Sequence, residues 1–312
     1  MYNEDVKKRF IEEKENTTIM SPNFILNKFK HIESTENELG KDLSNFTTDE
    51  IISYYKLSNF TSYDSLNITN NLFARYTQWC LQNSLVKDNQ NHYLEFTPHI
   101  LNTCMNKALI AQKIISKDTL YSWIKDLENP RDIFVFLCLF EFGRSKDFVE
   151  ISIAKLKDLN GNELTLCTGR TVKISNELKN IIYDCVDATT YVAITSHRNG
   201  SKPTLRNLVD NGSIMKMTYN SNINANDATK GRGIYSLIQR NLDYLDVQSN
   251  ISANDIVDSG KIHFIKERAK ELGITTYEYV YNSKYLQEVN HQFGCKITRS
   301  VFWLRYKEYL EA

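Results

Sequence analysis

The stretch Gly143-Arg144-Ser145-Lys146-Asp147 directly follows an apolar run from Ile133 to Phe142. Asn129-Pro130 before the run indicates a helix start, because Asn caps first turns and Pro fits the first helical position. The resulting helix is apolar on nearly every side, which predicts that it is buried in the centre of a domain. Gly143 ends it as a C-cap. On structural grounds alone, Arg144 is a cation favoured by the dipole of the preceding helix.

Length and composition are those of an ordinary globular protein. With 312 residues, the chain is long enough for two domains with separate cores. The low numbers of Pro (4) and Gly (11) favour long helices over strands and turns. No apolar run reaches membrane-spanning length, and the polar, acidic start shows no secretory signal. We therefore expect a cytoplasmic protein with no membrane partner.

The spacing of cysteine and histidine predicts neither disulfides nor a metal site. No Cys-x-x-Cys pair occurs, and four of the six cysteines lie in apolar patterns, so buried free thiols are expected. The six histidines lie far apart, and none has metal-ligand spacing. We expect no metal and no cofactor. The cysteines are Cys80, Cys104, Cys138, Cys167, Cys185 and Cys295.

The net charge of zero is unusual for a nucleic-acid-binding protein, but a local patch of cations is sufficient to bind phosphate. One basic segment runs from Arg198 to Arg240, where only Asp210 and Asp227 carry negative charge. The segment is either a solvated face or a nucleic-acid footprint. Its cations are Arg198, Lys202, Arg206, Lys216, Lys230, Arg232 and Arg240.

Residues 1–115 are predicted to form a helical bundle. Helix starts are indicated at Ser21-Pro22, at Thr47 with Glu50 three residues on, and at Thr97-Pro98. Apolar residues recur at helical spacing from Asn67 to Leu85. Four short helices and no strand pattern make up this domain.

Residues 116–312 are predicted to form a second, mainly helical domain with a small antiparallel sheet. Ser116 caps its first helix. Asn160-Gly161 is a hairpin-type turn, and two strands are expected on either side of Thr168-Gly169-Arg170. The predicted strands are 163–167 and 171–175, and the later helices are 176–186, 230–245, 259–272, 277–293 and 299–310.

This order of elements, with Gly-Arg and an acidic residue three positions later, resembles the tyrosine recombinase (phage integrase) family over almost the whole chain. The resemblance implies two domains that form a C-shaped clamp around duplex DNA. Its chemistry is attack of a Tyr hydroxyl on a phosphodiester. Two Arg and one or two His or Trp stabilise the phosphate charge, and a Lys in the sheet acts as an acid.

The first active-site box of the family matches this chain, and the sheet matches in shape only. Arg144 occupies the first Arg position, and Asp147 replaces the usual Glu. Arg170 lies on the strand that usually carries an Arg. The catalytic Lys normally precedes that Arg, but there is no Lys between Leu159 and Arg170.

The second and third boxes are altered. Asn254 stands where the family has His, and Val257 where it has the second Arg. Val cannot donate a hydrogen bond to phosphate, and this loss alone predicts a decrease in rate on the order of 10²- to 10³-fold. Cys295 follows Gly294 in place of the third-box His, and Tyr306 lies near the nucleophile position.

Such a degenerate site predicts a DNA-binding protein more than a recombinase, and it resembles the integrase-like repressors of SPβ-group temperate phages. We expect a sequence-specific repressor in the bacterial host, nucleoid-associated and bound to double-stranded operator DNA. A small phage regulatory protein is a further candidate partner. An active recombinase with a rearranged site and a helical protein-interaction module are the alternatives. The candidate DNA contacts are Arg144, Lys202, Arg206, Lys230, Arg232 and Arg240.

Overall fold

The computed structural model describes residues 1–14, 20–87, 89–145, 148–193, 204–218, 227–247 and 251–312, with the backbone alone for residues 14 and 227–230. The chain divides into two compact units, Met1–Ile110 and Ala111–Ala312. The sequence places the boundary at residue 115. Within the described ranges, no helix is both long and apolar enough to cross a bilayer.

The first unit is helical and closes around aromatic side chains. Phe10, Phe29 and Tyr76 contact one another edge-to-face at centroid distances of 5.0 to 6.1 Å, with Phe73 and Trp79 beside them. These rings come from α1, α2 and α4, so one aromatic cluster joins three helices. The helices are α1 (Glu4–Lys14), α2 (Pro22–Leu39), α3 (Thr48–Leu57), α4 (Tyr63–Gln82), α5 (Pro98–Thr103) and α6 (Lys107–Ala111).

The helix starts predicted from local capping residues are confirmed. Ser21 caps α2, and Thr47 forms a capping box with Glu50 at α3. Thr97 caps α5. The start predicted for α4 is four residues late, because the N-cap is Ser62.

A buried ion pair fixes α1 on α2. The Lys7 ammonium lies 2.5 Å from the Glu36 carboxylate, and both side chains are fully buried. The backbone N–H of Leu43 donates to the same carboxylate at 2.9 Å. Burial raises the pKa of Glu36 to about 7, and the Lys7 charge opposes that shift.

The second unit is built around α8 (Pro130–Phe142), whose apolar residues are almost all buried, as predicted. It packs mainly on α10 and α12. Gly260 of α12 lies so close to α8 that a Cβ atom there would be 1.9 Å from the carbonyl oxygen of Phe140. The other helices are α7 (Lys117–Lys125), α9 (Val149–Ser152), α10 (Asn176–Asp187), α11 (Asp227–Tyr244), α12 (Ala253–Leu272), α13 (Thr276–Tyr281), α14 (Ser283–Phe293) and α15 (Arg299–Glu311).

The predicted antiparallel sheet is present, but its strands are shorter than expected. β1 (Leu159–Asn160), β2 (Glu163–Thr165) and β3 (Thr171–Lys173) pair in sequence order. A second antiparallel sheet was not predicted. It contains β4 (Thr190–Ala193), β5 (Thr204–Val209) and β6 (Met217–Thr218). Four consecutive residues of β5 are exposed, so its sequence lacks the alternation that marks a half-buried strand.

Three predicted helices of the second unit differ from the structure by more than one residue. α11 begins at Asp227 and not at Lys230. α12 begins at Ala253 and not at Ser259, because Ser252 and Asp255 form a capping box. The helix predicted over 277–293 is two helices, α13 and α14. Asn282 separates them, and its side chain accepts hydrogen bonds from the backbone N–H groups in the first turn of α14.

All six cysteines are free thiols. Cys80, Cys104, Cys138 and Cys185 are buried as expected. The expectation of burial is wrong for Cys167, which is exposed after β2, and Cys295 is only partly buried.

Candidate nucleic-acid interface

The first turns of α12 collect most of the positions that resemble the recombinase site. Asn254 and Asp258 are four residues apart and therefore lie on one face of this helix. Arg144 bonds to Asn254, and Tyr306 bonds to Asp258. Val257, on the adjoining face, packs against the Gly143 junction. The N-terminus of one helix thus links the end of α8 to α15.

Arg144 is half-buried, and its guanidinium is held in one orientation. Its Nε and Nη2 both donate to the side-chain oxygen of Asn254, at 3.1 and 2.8 Å. The guanidinium carbon lies 4.9 Å from the centre of the Phe148 ring. Nη1 donates to no described residue. This arrangement leaves part of a planar fork that suits a phosphate oxygen.

Val257 fills space at this junction and has no polar group. Gly143 has a φ of +77°, and a Cβ atom there would lie 3.1 Å from the Phe293 carbonyl oxygen and 3.4 Å from the Val257 side chain. Val257 is 7% exposed. The end of α8 therefore needs glycine for both its conformation and the close approach of its neighbours.

Tyr306 is buried, and its hydroxyl is engaged. Its OH donates to a carboxylate oxygen of Asp258 at 2.5 Å, and the residue is 2% exposed. Burial, with the negative charge of Asp258 next, raises the pKa of Tyr306 well above its usual value. Asp258 also accepts from Lys261 at 2.9 Å, and Arg305 lies 3.9 Å away. A nucleophilic phenolate is unfavourable in this surrounding.

The contacts of Arg170 hold structural elements of the second unit together. It forms an ion pair with the buried Glu150 at 2.6 Å. Its Nη1 donates to the carbonyl oxygens of Phe142 at 3.2 Å, His291 at 3.2 Å and Gln292 at 2.5 Å. These carbonyls end α8 and α14, so one guanidinium caps two helices and compensates both C-terminal dipoles.

Cys295, at the third-box position, is partly buried beside this cap. Its sulfur contacts the side-chain oxygen of Asn290 at 3.9 Å, and burial raises the pKa of its thiol. Gly294 has a φ of +60°, and a Cβ atom there would lie 2.9 Å from the Arg170 guanidinium carbon. Because Gly294 has no side chain, the Arg170 guanidinium can lie against its backbone.

The predicted basic contacts separate into three groups. Arg232 is exposed on α11. Arg206 and Arg240 line a cleft with Arg131, which the sequence did not suggest. Asp147, Arg198 and Lys202 lie outside the described residues, and Lys230 is described by its backbone alone. The structure tests none of these residues as DNA contacts.

Sequence reasoning missed the charged residues that surround Tyr306. Asp258 accepts the hydrogen bond of its hydroxyl, Arg305 lies over its ring, and Lys261 pairs with Asp258. The only signal was the spacing of Asp258 and Lys261 on α12, which is also typical of a solvated helix face. Among the described residues, no three His, Cys, Asp or Glu side chains converge as a metal site.

The fold belongs to the class predicted from the sequence. It has a helical first unit and a mainly helical second unit with small antiparallel sheets. Two solved recombinases resemble the chain at low identity. A lambda integrase (75–356) dimer bound to a COC′ core site is 10% identical, with a TM-score of 0.45, over 97% of this chain and 94% of that chain. XerA recombinase is 11% identical, with a TM-score of 0.36, over 96% and 92%.

The chain belongs to the MrpR family. Residues 1–82 match the family described as MrpR, N-terminal core-binding domain, and residues 114–311 match MrpR, C-terminal catalytic domain. The SPβ prophage-derived uncharacterized protein YopR of Bacillus subtilis strain 168 is 25% identical over 284 residues. That alignment covers 88% of this chain and 84% of YopR.

Proposed function

We propose that this protein is a sequence-specific DNA-binding repressor of a phage or prophage, built on a recombinase fold that no longer carries out strand transfer. Family membership and the prophage origin of YopR support the phage setting. Repression and operator binding are the parts that need experiment. The small regulatory protein expected from the sequence has no support in the fold or the comparisons and is left out of the proposal.

The state of Tyr306 is the observation that carries the loss of chemistry. A recombinase needs an accessible hydroxyl beside a set of phosphate-binding cations. Here the Tyr306 ring is buried, and its hydroxyl donates a hydrogen bond to Asp258. The carboxylate of Asp258 also pairs with Lys261 and Arg305. The cations nearest to the tyrosine are thus already neutralised by a carboxylate.

This site can still bind a phosphate without reacting with it. Arg144 is half-buried, and its Nη1, which donates to no described residue, can donate to a DNA phosphate. Arg232, exposed on α11, is the next candidate among the described cations. Both contacts fix position on the duplex and carry no base sequence, so specificity has to come from other side chains.

An electrophoretic mobility shift with phage DNA fragments at two salt concentrations tests DNA binding. We expect a shift whose affinity falls steeply with salt, because phosphate contacts release counterions. A shift limited to certain fragments would identify the operator region. If no fragment binds at either salt concentration, the protein is instead a helical interaction module.

An active recombinase with a rearranged site is the second candidate. The presence of Lys261 and Arg305 beside Tyr306 favours it, because both cations would face a phosphate if Asp258 moved away. Tyr306→Phe separates the two candidates. We expect this variant to bind DNA and repress as the wild type does. A folded, DNA-binding variant with no biological activity would favour the recombinase.

A further inference from the structure

A basic cleft in the second unit shares no lining residue with the site around the start of α12. Its volume is about 220 Å³. It is formed by residues of β4, β5, β6 and α11 together with the start of α8, so rigid elements position most of its walls. The cations that line it are Arg131, Arg206, Lys216 and Arg240, and no carboxylate is among its lining residues.

Arg131 lies recessed in this cleft. Its side chain is 13% exposed, and its guanidinium stacks 4.2 Å from the centre of the Tyr191 ring. Nη1 donates to the carbonyl oxygen of Lys216 at 3.1 Å, while the buried Nε has no hydrogen-bond partner among the described residues. Asp132 lies 3.8 Å away and balances this charge.

Arg206 and Arg240 approach the same ring from β5 and α11. Arg206 is paired directly across from Tyr191 in the antiparallel sheet, so the two side chains share one face. Burial raises the pKa of Tyr191, and the negative charge of Asp132 raises it further. The positive charges of Arg131 and Arg240 lower the pKa of the same hydroxyl. Arg131 therefore stacks on the Tyr191 ring, Arg240 acts on its hydroxyl, and Arg206 lies on the same face of the sheet.

The charge of the cleft is not balanced by the described residues. Lys216 is held by backbone carbonyl oxygens at the end of α10, including that of Ala188 at 3.0 Å. Arg240 donates only to the Ser236 carbonyl oxygen, at 3.1 Å. Neither Arg206 nor Arg240 has an ion pair within the described ranges, which leaves about two positive charges. A phosphate monoester carries about −1.5 to −2 at pH 7 and accepts from arginine forks.

We propose that this cleft binds a small organic phosphate, a dianionic monoester with a compact apolar part. Arg206 and Arg240 donate to its phosphate oxygens. Met215, Met217 and Leu237 provide an adaptable apolar wall for the rest of the molecule. The volume is below the roughly 300–1,000 Å³ of sites for drug-sized ligands, which limits the ligand to a small one.

A small ligand fits the recessed cleft better than the backbone of DNA does. Arg206 and Arg240 are exposed, as cations that follow a duplex also are, but Arg131 is largely covered and the apolar wall has no partner on a phosphodiester chain. The cleft site does not depend on the proposed repressor function.

Isothermal titration of the full-length protein with phenyl phosphate and with inorganic phosphate tests this site. We expect one equivalent of phenyl phosphate to bind, and to bind more tightly than inorganic phosphate because of the apolar wall. Arg206→Gln and Arg240→Gln should each weaken binding about tenfold or more, as expected for a lost charge-assisted hydrogen bond. Arg232→Gln is the matched control, since Arg232 lies on α11 outside the cleft, and it should leave the affinity for phenyl phosphate unchanged.

A variant that fills the cleft without altering its charge distinguishes binding inside the cleft from a nonspecific attraction of phenyl phosphate to positive charge. A Cβ atom on Gly233 of α11 would meet no described atom outside its own helix within 4 Å, so Gly233→Leu should fold and occupy the cleft. We expect it to abolish binding of phenyl phosphate. Unchanged binding by Gly233→Leu, or no binding of phenyl phosphate to the wild type at millimolar concentration, would overturn the assignment.

A gel shift with the same variants identifies the source of the phosphate. Arg206→Gln and Arg240→Gln should keep the DNA affinity of the wild type. A joint loss of DNA and phenyl phosphate binding would assign the cleft to the DNA backbone and overturn the small-ligand site. If the wild type fails to bind DNA at all, the repressor function falls while the phenyl phosphate titration still decides the cleft.

Discussion

The two residues that best match the recombinase pattern, Arg144 and Tyr306, are both engaged by side chains of α12. Asn254 accepts two hydrogen bonds from Arg144, and Asp258 accepts one from Tyr306. The difference between them is accessibility: Arg144 is half-buried, and its Nη1 donates to none of the described residues, whereas Tyr306 is buried. A phosphate contact is therefore compatible with this site, and nucleophilic attack is not favoured.

Arg144→Ala is expected to weaken binding to every DNA sequence alike, by about 1–3 kcal/mol, and to lower the salt slope by about one unit. The reason is that a phosphate contact adds affinity and counterion release without reading bases. Fluorescence anisotropy at several salt concentrations measures both quantities. Arg268→Ala is the control, because that guanidinium pairs with Glu271 and Glu288. Equal affinities for Arg144→Ala and the wild type would exclude a DNA path across this site.

Arg170→Gln is expected to destabilise the second unit by about 3–5 kcal/mol, since it leaves the buried Glu150 without its partner and two helix ends without their cap. Thermal unfolding should show a decrease in Tm of roughly 10 °C. Lys173→Gln, on the neighbouring exposed position of β3, should have little effect. A stable Arg170→Gln that loses DNA affinity would instead make Arg170 a DNA contact.

At the scale of elements, helices with local start signals could be predicted, and structures that depend on distant partners could not. Ser21, Thr47 and Ser116 each cap a helix by bonding to a backbone N–H three residues on, so the signal lies within one turn. The exposed β5 has no such signal, because its order comes from pairing with β4 and β6. The break at Asn282 was missed because the apolar spacing continues across it.

The crossing of α8 and α12 offers a sharp test of the second unit. Gly260→Ala would force a Cβ atom against the backbone of Phe140, and we expect a loss of about 3 kcal/mol or more. Gly233→Ala is the matched control in another helix, with open space around its Cβ, and should be neutral or gain up to about 1 kcal/mol. Hydrogen exchange of α8 amides measures both effects. Equal protection in the two variants would contradict the close crossing.

At the scale of the whole molecule, the fold was more predictable than the site. The Gly143-Arg144 junction, the hairpin and the order of helices predicted two mainly helical domains with a small sheet and a resemblance to SPβ-type repressors, and the fold and the membership of the MrpR family agree with both. The positions Asn254, Val257 and Tyr306 followed from that resemblance. Their chemical state did not, because the contact of Tyr306 with Asp258 joins residues 48 positions apart.

The central claim is that this recombinase fold holds DNA without cutting it. Incubating the wild-type protein with nicked phage DNA, under conditions where a gel shift shows binding, and then denaturing the mixture in SDS measures covalent attachment directly. We expect all of the DNA to be released, because the Tyr306 hydroxyl is buried and donated to Asp258. An SDS-resistant adduct that forms with the wild type and disappears in Tyr306→Phe would contradict the claim.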